Sequence, residues 1–436
     1  MKRTDNQHKF DALREDFSTF TFERQTVKRE NGVLSLAFDF NLDDRYHFHP
    51  TLEIPARSVF DWERIPEEQL QALAFQIGMT ELVSYWKIAC PKRVVVKPFS
   101  LTDSQKAFWK KLYYNGLGEF LYLNCISVSE EGLMQIESVG NQSFAKVDLP
   151  LEERTLVPIG GGKDSVVTLE CLRNEMPVVP MIVNPRGATL NCVKTAGYGE
   201  NDFIVINRTL DPTMLNLNAE GYLNGHTPFS ALLAFIGVLV AFGSRSRYIA
   251  LSNENSANES TVPGTNINHQ YSKSIEFERD FRNYVAENMN DKVQYFSFLR
   301  PLSELQIAKL FAQCEAYHSV FRSCNVGSKT DSWCGHCPKC LFTWIILSPF
   351  LSREKLTAIF GKDLMADESL RPIYEELNGT AEVKPFECVG TVEEVQACME
   401  AVNGNRNQVN VILNRFNNEH FLPEKFEQIL KSRLHV

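Results

Sequence analysis

The stretch that decides the fold of this chain is Thr155-Leu156-Val157-Pro158-Ile159-Gly160-Gly161-Gly162-Lys163-Asp164-Ser165. Its apolar first half is typical of a buried strand, and the residues that follow it have the composition of a helix. Glycines between a strand and a helix leave backbone N–H groups bare, and the helix dipole adds partial positive charge at the same place. The stretch therefore predicts an anion-binding loop, although its spacing excludes both the Gly-x4-Gly-Lys-Ser/Thr and the Gly-x-Gly-x-x-Gly motifs.

The alternation of strands and helices after residue 150 predicts an α/β domain with a parallel sheet. Strands are expected at 156–159, 178–183, 203–206 and 248–251, and helices near 165–174, 188–196 and 229–242. Ligands of such sheets bind at the carboxyl ends of the strands, which directs attention to the polar segments 184–186, 207–208 and 252–259. We predict three parts: an N-terminal α+β domain at 1–150, this sheet domain at 151–351 and a helical C-terminal subdomain at 352–436.

Composition limits the classes of function. The chain has 436 residues, of which 44% are hydrophobic and 23% charged, and its net charge is −9. This balance argues against an extensive nucleic-acid surface. The first residues lack the apolar core of a signal peptide, and the longest apolar stretch, 231–242, is too short to span a bilayer. We expect a cytoplasmic protein without nucleic-acid or membrane partners, and the oligomeric state stays open.

Four cysteines lie within seventeen residues: Cys324, Cys334, Cys337 and Cys340. The last three form a Cys-x2-Cys-x2-Cys pattern. Four thiolates at such spacing can surround a tetrahedral Zn²⁺ and close its coordination, which is typical of a structural site. An iron–sulfur cluster uses similar spacing and is the alternative, and His336 is a possible substitute for one ligand.

The glycine stretch resembles the pyrophosphate loop (PP-loop) of the ATP-pyrophosphatase superfamily, whose pattern is Ser-Gly-Gly-x-Asp-Ser. Gly161, Gly162, Asp164 and Ser165 match this pattern, and Gly160 stands in place of the first serine. The resemblance implies an adenine nucleotide alpha hydrolase-like fold. It also implies that the loop holds the β- and γ-phosphates of ATP, that Mg²⁺ neutralises them, and that ATP is split to AMP and pyrophosphate.

A cysteine quartet downstream of such a loop resembles the layout of 7-cyano-7-deazaguanine synthases, but about 150 residues precede the loop here. The whole arrangement resembles the ATP-dependent UDP-N-acetylmuramoyl-L-alanyl-L-glutamate epimerase family. The resemblance extends from about residue 78 to 391 and rests on segments 78–87, 157–170, 252–258, 268–274 and 385–391 together with the quartet. It implies ATP-dependent inversion of the terminal L-glutamate of this UDP-muramoyl-dipeptide, a peptidoglycan precursor, to D-glutamate.

Within that resemblance, residue roles can be assigned as expectations. The ATP loop comprises Gly160, Gly161, Gly162, Lys163, Asp164 and Ser165, although a solvent-facing Lys163 is equally open. Substrate-binding candidates are Arg186, Arg208 and Lys273, and catalytic candidates are Asp164, Lys273 and His269. Further groups with suitable acid–base chemistry are Cys192, His226, Glu254, Tyr271, His318 and Cys388. Two alternatives remain: a nucleoside- or tRNA-modifying ATP pyrophosphatase, and a zinc-stapled nucleotide-binding module without catalytic activity.

Overall fold

The computed structural model describes residues 3–262 and 264–434. Its strands are β1 (Thr19–Glu30), β2 (Val33–Leu42), β3 (Tyr46–Phe48), β4 (Thr51–Pro55), β5 (Arg93–Val96), β6 (Gln135–Ser138), β7 (Glu152–Pro158), β8 (Val178–Val183), β9 (Ile204–Thr209), β10 (Ser246–Leu251) and β11 (Gln294–Ser297). The predicted strands at 156–159, 178–183, 203–206 and 248–251 are confirmed as β7, β8, β9 and β10, with ends that differ by a few residues.

The α-helices are α1 (Gln7–Asp16), α2 (Glu67–Trp86), α3 (Asp103–Gly116), α4 (Gly118–Leu123), α5 (Glu130–Leu133), α6 (Lys163–Leu172), α7 (Gly187–Thr195), α8 (Pro212–Ala219), α9 (Phe229–Ser244), α10 (Ile275–Asn288), α11 (Glu304–Ala312), α12 (Pro338–Leu347), α13 (Arg353–Phe360), α14 (Arg371–Leu377), α15 (Val392–Val402), α16 (Asn407–Leu413) and α17 (Glu424–Leu434). The helices expected near 165–174, 188–196 and 229–242 correspond to α6, α7 and α9. In the part of the chain described, no helix has both the length and the apolar content that crossing a bilayer requires.

The chain divides into two compact units. The first contains the residues up to Glu152, Ile204–Arg247 and Gln270–Gln294, and the second contains Glu153–Phe203, Tyr248–His269 and the residues from Tyr295 onward. The predicted division into three domains, with boundaries near residues 150 and 351, stays a prediction. The mixed α/β class and the helical C-terminal region are confirmed.

In the first unit the strands follow the order β9-β4-β2-β1-β5-β6, and β3 pairs with β2. β1 and β2 form an antiparallel hairpin whose turn residues Asn31 and Gly32 both have positive φ, at 53° and 72°. Such a two-residue turn matches the right-handed twist of the paired strands. β5 pairs in parallel with β1 and β6, whereas β9 pairs antiparallel with β4. The sheet of this unit is therefore mixed.

Helix α2 is the central helix of the first unit and packs against β1, β2 and α9. It begins after Pro66 with two acidic residues, Glu67 and Glu68, which interact favourably with the helix dipole. From Ala72 to Trp86 every residue is buried. A helix that is apolar on all sides needs such surroundings, and its few polar side chains must then find partners inside the protein.

In the second unit the strand order is β11-β10-β7-β8, and β7 runs parallel to β8 with Leu156 opposite Val179. Residues 156 and 157 are fully buried, as the apolar run predicted. β7 leads through the three glycines into α6, and β8 leads into α7. Parallel strands followed by helices place both connections at the same edge of the sheet. Helices α11 to α17 complete this unit.

Candidate functional site

The glycine stretch forms the connection between β7 and α6. The N–H group of Ile159 donates to the carbonyl oxygen of Met181 at 2.8 Å, which continues the pairing of the sheet up to the loop. Gly162 is the N-cap residue of α6, and no side chain caps this end of the helix. The first N–H groups of a helix have no partners within the helix, so the start of α6 offers donors and partial positive charge.

The surroundings require glycine at position 161 and bring a side chain close to Gly162. Gly161 has φ +80°, and a Cβ atom there would lie 2.9 Å from the backbone nitrogen of Thr189. A Cβ atom on Gly162 would lie 2.8 Å from the Oγ atom of Ser323. A Cβ atom on Gly160 would meet nothing within 4 Å. The loop therefore packs against neighbouring residues at Gly161 and Gly162 but is open at Gly160. The open position leaves room for the oxygen atoms of an anion.

Lys163 is buried, so the alternative that it faces solvent at the helix start is wrong. Its side chain is 3% exposed and forms ion pairs with Asp164 and with Glu304 at the start of α11. Burial lowers the pKa of the Lys163 ammonium, but the charges of Asp164 and Glu304 outweigh this effect and raise its pKa above the usual value. The lysine is therefore a permanent cation beneath the loop. The side chain of Asp164 remains 32% exposed.

A second segment of the chain, residues 321–331, lies against the glycine loop. The N–H group of Arg322 donates to the carbonyl oxygen of Gly161 at 2.8 Å. The guanidinium of Arg186, at the N-cap of α7, donates to the Oγ atom of Ser328. The loop and the predicted substrate ligand Arg186 thus contact the same segment, which contains Cys324 of the quartet.

The four predicted metal ligands converge. Their sulfur atoms lie within 4.8 Å of one another. The separations are 3.8 Å for Cys324–Cys337, 3.7 Å for Cys334–Cys340 and 3.5 Å for Cys337–Cys340. Sulfur atoms bound at about 2.3 Å to one tetrahedral ion are about 3.8 Å apart. The quartet can therefore hold a metal ion such as zinc.

Local contacts favour the thiolate form of Cys337, whereas burial raises the pKa of Cys334 to about 11. Cys337 is the N-cap residue of α12, and Cys340 lies in the first turn of this helix. The hydrogen bond from Cys340 lowers the pKa of Cys337 to about 5. The N–H group of Gly327 also donates to the sulfur of Cys324 at 3.1 Å. His336 is exposed, with its Nδ1 atom 2.8 Å from the Cys334 carbonyl oxygen, and it lies outside the group of four sulfurs.

The remaining predicted ligands occupy different environments. Arg208 is half-buried in the first unit and forms a two-point ion pair with the fully buried Glu81, with 2.7 Å between Nη2 and Oε2. Lys273 also belongs to the first unit, where its Nζ atom lies 3.4 Å from the side-chain oxygen of Gln270. His269 belongs to the second unit, and its ring centroid lies 6.5 Å from that of Phe386.

Two of the further acid–base candidates have environments that favour their neutral forms. Cys192 is buried, donates to the carbonyl oxygen of Gly161 at 3.7 Å, and burial raises its pKa to about 12. Burial likewise lowers the pKa of His318. These shifts favour structural roles for both side chains.

Three residues near the loop escaped the sequence analysis: Glu304, Arg322 and Ser323. Glu304 is 141 residues away from its partner Lys163 in the chain, so no local pattern relates them. The sequence pattern near Glu304 is the capping box that starts α11. In it the side chain of Ser303 accepts from the N–H group of Gln306, and the side chain of Gln306 accepts from the N–H group of Ser303. That pattern marks the start of a helix but does not show what the helix start contacts.

The fold and the site define a class: an α/β protein with a glycine-rich loop at a helix start and four cysteines that can hold a metal ion. The chain belongs to the MurL family, because the model of the MurL N-terminal domain matches residues 11–298 and that of the MurL C-terminal domain matches residues 317–426.

Three relatives carry the name UDP-N-acetyl-alpha-D-muramoyl-L-alanyl-L-glutamate epimerase. The protein from Micromonospora sp. is 40% identical over 86% of this chain and 84% of its own length. The one from Salinispora tropica is 39% identical over 86% and 82%, and the one from Xanthomonas oryzae pv. oryzae is 34% identical over 88% and 85%. The family predicted from the sequence is therefore confirmed.

Proposed function

We propose that this protein inverts the terminal L-glutamate of UDP-N-acetylmuramoyl-L-alanyl-L-glutamate to D-glutamate, at the expense of ATP that is cleaved to AMP and pyrophosphate. The observation that carries the proposal is the alignment of relatives named for this epimerisation over 86–88% of the chain. The uncapped start of α6 behind three glycines supports the nucleotide part, because it offers N–H donors to phosphate oxygens.

The chemistry explains the need for ATP. The α-proton of a carboxylate is very weakly acidic, since its removal would leave two negative charges on one enolate. In the proposed reaction a carboxylate oxygen of the glutamate attacks the α-phosphorus of ATP, and the bond to the β-phosphate breaks, which releases pyrophosphate. A base then removes the α-proton of the acyl-adenylate, whose acyl group no longer carries a carboxylate charge, and an acid returns a proton on the opposite face. Water attacks the carbonyl carbon, AMP leaves, and the inverted glutamate is released.

The proposed nucleotide site is a PP-loop of residues 160–165. The backbone of the three glycines and the hydroxyl of Ser165 contact the β- and γ-phosphates. The half-exposed Asp164 is placed to hold Mg²⁺, the hard cation that neutralises a triphosphate. Lys163 belongs to the proposed loop, and its ammonium is bound by the carboxylates of Asp164 and Glu304.

We propose Zn²⁺ as the metal of the cysteine quartet, in a structural role. The donors are four sulfurs without an open position, and their spacing of 3.5–3.8 Å suits one ion. In a 4Fe–4S cluster each thiolate binds a different iron atom, so the four cysteine sulfurs stand farther apart than around one ion. This spacing supports zinc over the cluster.

We also propose substrate and acid–base roles for residues outside the loop. Arg186 lies beside the segment that contacts the loop and is a candidate for the substrate's charged groups. Lys273 and Arg208 are candidates in the first unit, but a substrate would have to displace Glu81 from Arg208. His269, Lys273 and Asp164 remain the candidates for catalysis.

The test is incubation of the purified protein with ATP, Mg²⁺ and the UDP-muramoyl-dipeptide, followed by chiral analysis of the hydrolysed glutamate. We expect D-glutamate to appear together with AMP and pyrophosphate. Release of ADP, or AMP without inversion, would contradict the proposal. In deuterated water, label at the glutamate α-carbon should appear only when ATP is present, and exchange without ATP would rule out adenylation as the first step.

A further inference from the structure

We infer that Ser323 is a phosphate-binding residue of the glycine loop and that the four-cysteine metal centre positions it. The inference rests on the proposed function, because the phosphates are those of the nucleotide proposed to bind there. It adds a ligand that lies 158 positions after Ser165 in the chain and that no motif of the loop contains.

The first observation is the closeness of the hydroxyl to the loop. A Cβ atom on Gly162 would lie 2.8 Å from the Oγ atom of Ser323 and 3.7 Å from its Cβ atom. The hydroxyl therefore projects toward the loop ahead of the rest of the side chain. Glycine at 160, 161 and 162 means that the loop itself supplies no side-chain donor there. Ser323 brings a hydroxyl to this position from another part of the chain.

The second observation is that this hydroxyl is available. Ser323 is half-buried, and within residues 3–262 and 264–434 its Oγ atom has no hydrogen-bond partner. A hydroxyl that donates to a charged phosphate oxygen forms one of the stronger hydrogen bonds in proteins. Ser165 differs in this respect, because its hydroxyl donates to the carbonyl oxygen of Gly162 at 3.0 Å and has to leave this acceptor before it donates to a phosphate.

The third observation is how Ser323 is held. On one side, the N–H group of Arg322 is tied to the carbonyl oxygen of Gly161 at 2.8 Å. On the other side, Cys324 belongs to the metal quartet and is buried. Ser323 therefore lies between Arg322, whose N–H group is bonded to the loop, and Cys324, which belongs to the quartet. Both are its immediate neighbours in the chain. A metal ion bound to Cys324 restricts the backbone next to Ser323, and loss of the ion removes that restriction.

The experiment measures binding of ATP and of inorganic pyrophosphate by calorimetry to the full chain and to three variants. Ser323→Ala should weaken both by about tenfold to a hundredfold, the value of one hydrogen bond to a charged group. Ser323→Thr keeps the hydroxyl and should bind within about threefold of the unmodified protein. Ser319→Ala is the control, because Ser319 is an exposed serine of the same region and should leave binding unchanged.

Each outcome decides one point. Equal binding by Ser323→Ala and the unmodified protein would overturn the inference and leave the proposed function standing. If the unmodified protein binds neither ATP nor pyrophosphate, the proposed nucleotide site itself is wrong. Adenosine binding should not change in Ser323→Ala, and a parallel loss of adenosine binding would overturn a specific phosphate contact.

The positioning role is tested by removing the metal with a chelator, removing the chelator by gel filtration, and then measuring pyrophosphate affinity, metal content and circular dichroism on one sample. Affinity should fall with the metal content while the helical signal is retained, and added Zn²⁺ should restore it. In Ser323→Ala the same treatment should have a much smaller effect, because the contact that the metal positions is already absent. Equal losses in both proteins, or unchanged affinity after metal loss, would contradict the positioning role.

Discussion

The ammonium of Lys163 lies between the carboxylates of Asp164 and Glu304, and it joins the first turn of α6 to the first turn of α11. The side chains of Lys163 and Glu304 are 3% and 4% exposed. Removing two charges from water costs free energy, and loss of either partner would leave the other as an unpaired buried charge. The ion pair therefore connects the residue that follows the glycines to helix α11 of the second unit.

Glu304→Gln should destabilise the protein strongly, because it leaves the buried Lys163 with one carboxylate in place of two. We expect a loss of about 3 kcal/mol in the free energy of unfolding, measured by urea denaturation at pH 7. The control is Glu393→Gln, which breaks the half-exposed pair with Arg415 and should cost less than about 1 kcal/mol. Equal effects of the two changes would show that the Lys163 pair has no special importance.

The loop should tolerate a side chain at Gly160 but not at Gly161. Gly160→Ser projects into open space and should change the free energy of unfolding by less than about 0.5 kcal/mol. Gly161→Ala combines a left-handed backbone with a contact of 2.9 Å to Thr189, and we expect a loss of about 2 kcal/mol and weaker ATP binding. Thermal unfolding and ATP calorimetry check both variants. A stable, fully binding Gly161→Ala protein would contradict this account of the loop.

Lys87 should make stability depend on pH in the alkaline range. It is buried, its Nζ atom donates to the carbonyl oxygen of Gly225, and burial lowers its pKa from 10.5 to about 8. Between these two values the unfolded chain binds the proton and the folded chain does not, so this group adds stability as pH rises from about 8 to 10.5. The contribution is complete above 10.5 and is lost as pH falls through 8.

The measurement is urea denaturation at pH 7, 8 and 9 of the unmodified protein and of Lys87→Met, which keeps the length of the side chain without its charge. Between pH 8 and 9 the free energy of unfolding of the unmodified protein should rise by about 1 kcal/mol relative to that of Lys87→Met. One proton taken up on unfolding corresponds to about 1.4 kcal/mol per pH unit at most. A difference that does not vary with pH would show that Lys87 is not a buried group with a lowered pKa.

The quartet should contain one zinc ion per chain in elemental analysis of the purified protein. Cys340→Ser removes a buried ligand, so we expect most of the metal to be lost and the melting temperature to fall, because a structural zinc contributes directly to folding. Cys398→Ser is the control, since this buried cysteine lies outside the quartet and should leave the metal content unchanged. Iron in place of zinc would contradict the proposed metal.

Local patterns in the sequence determined much of the protein. The order of β7, the glycines and α6 was predicted because apolar runs, glycines and helix starts act through residues close in the chain. The cysteine quartet spans only seventeen residues, so its spacing alone indicated a metal site, and the structure brings the four sulfurs together. The family was predicted from these segments together with the likeness of residues 78–87, 252–258, 268–274 and 385–391, and membership of the MurL family is confirmed.

Only the tertiary structure decided what surrounds these segments. The sequence left Lys163 open between a phosphate contact and a solvent-facing position, and its burial depends on Glu304, a residue 141 positions away. Arg208 was assigned to a substrate, and the structure pairs it with Glu81, 127 positions away. Ser323 carried no signal at all. Hydrophobic periodicity and glycine sterics act locally and can be read from neighbours, whereas the partner of a buried charge or a free hydroxyl depends on which distant segments the fold brings together.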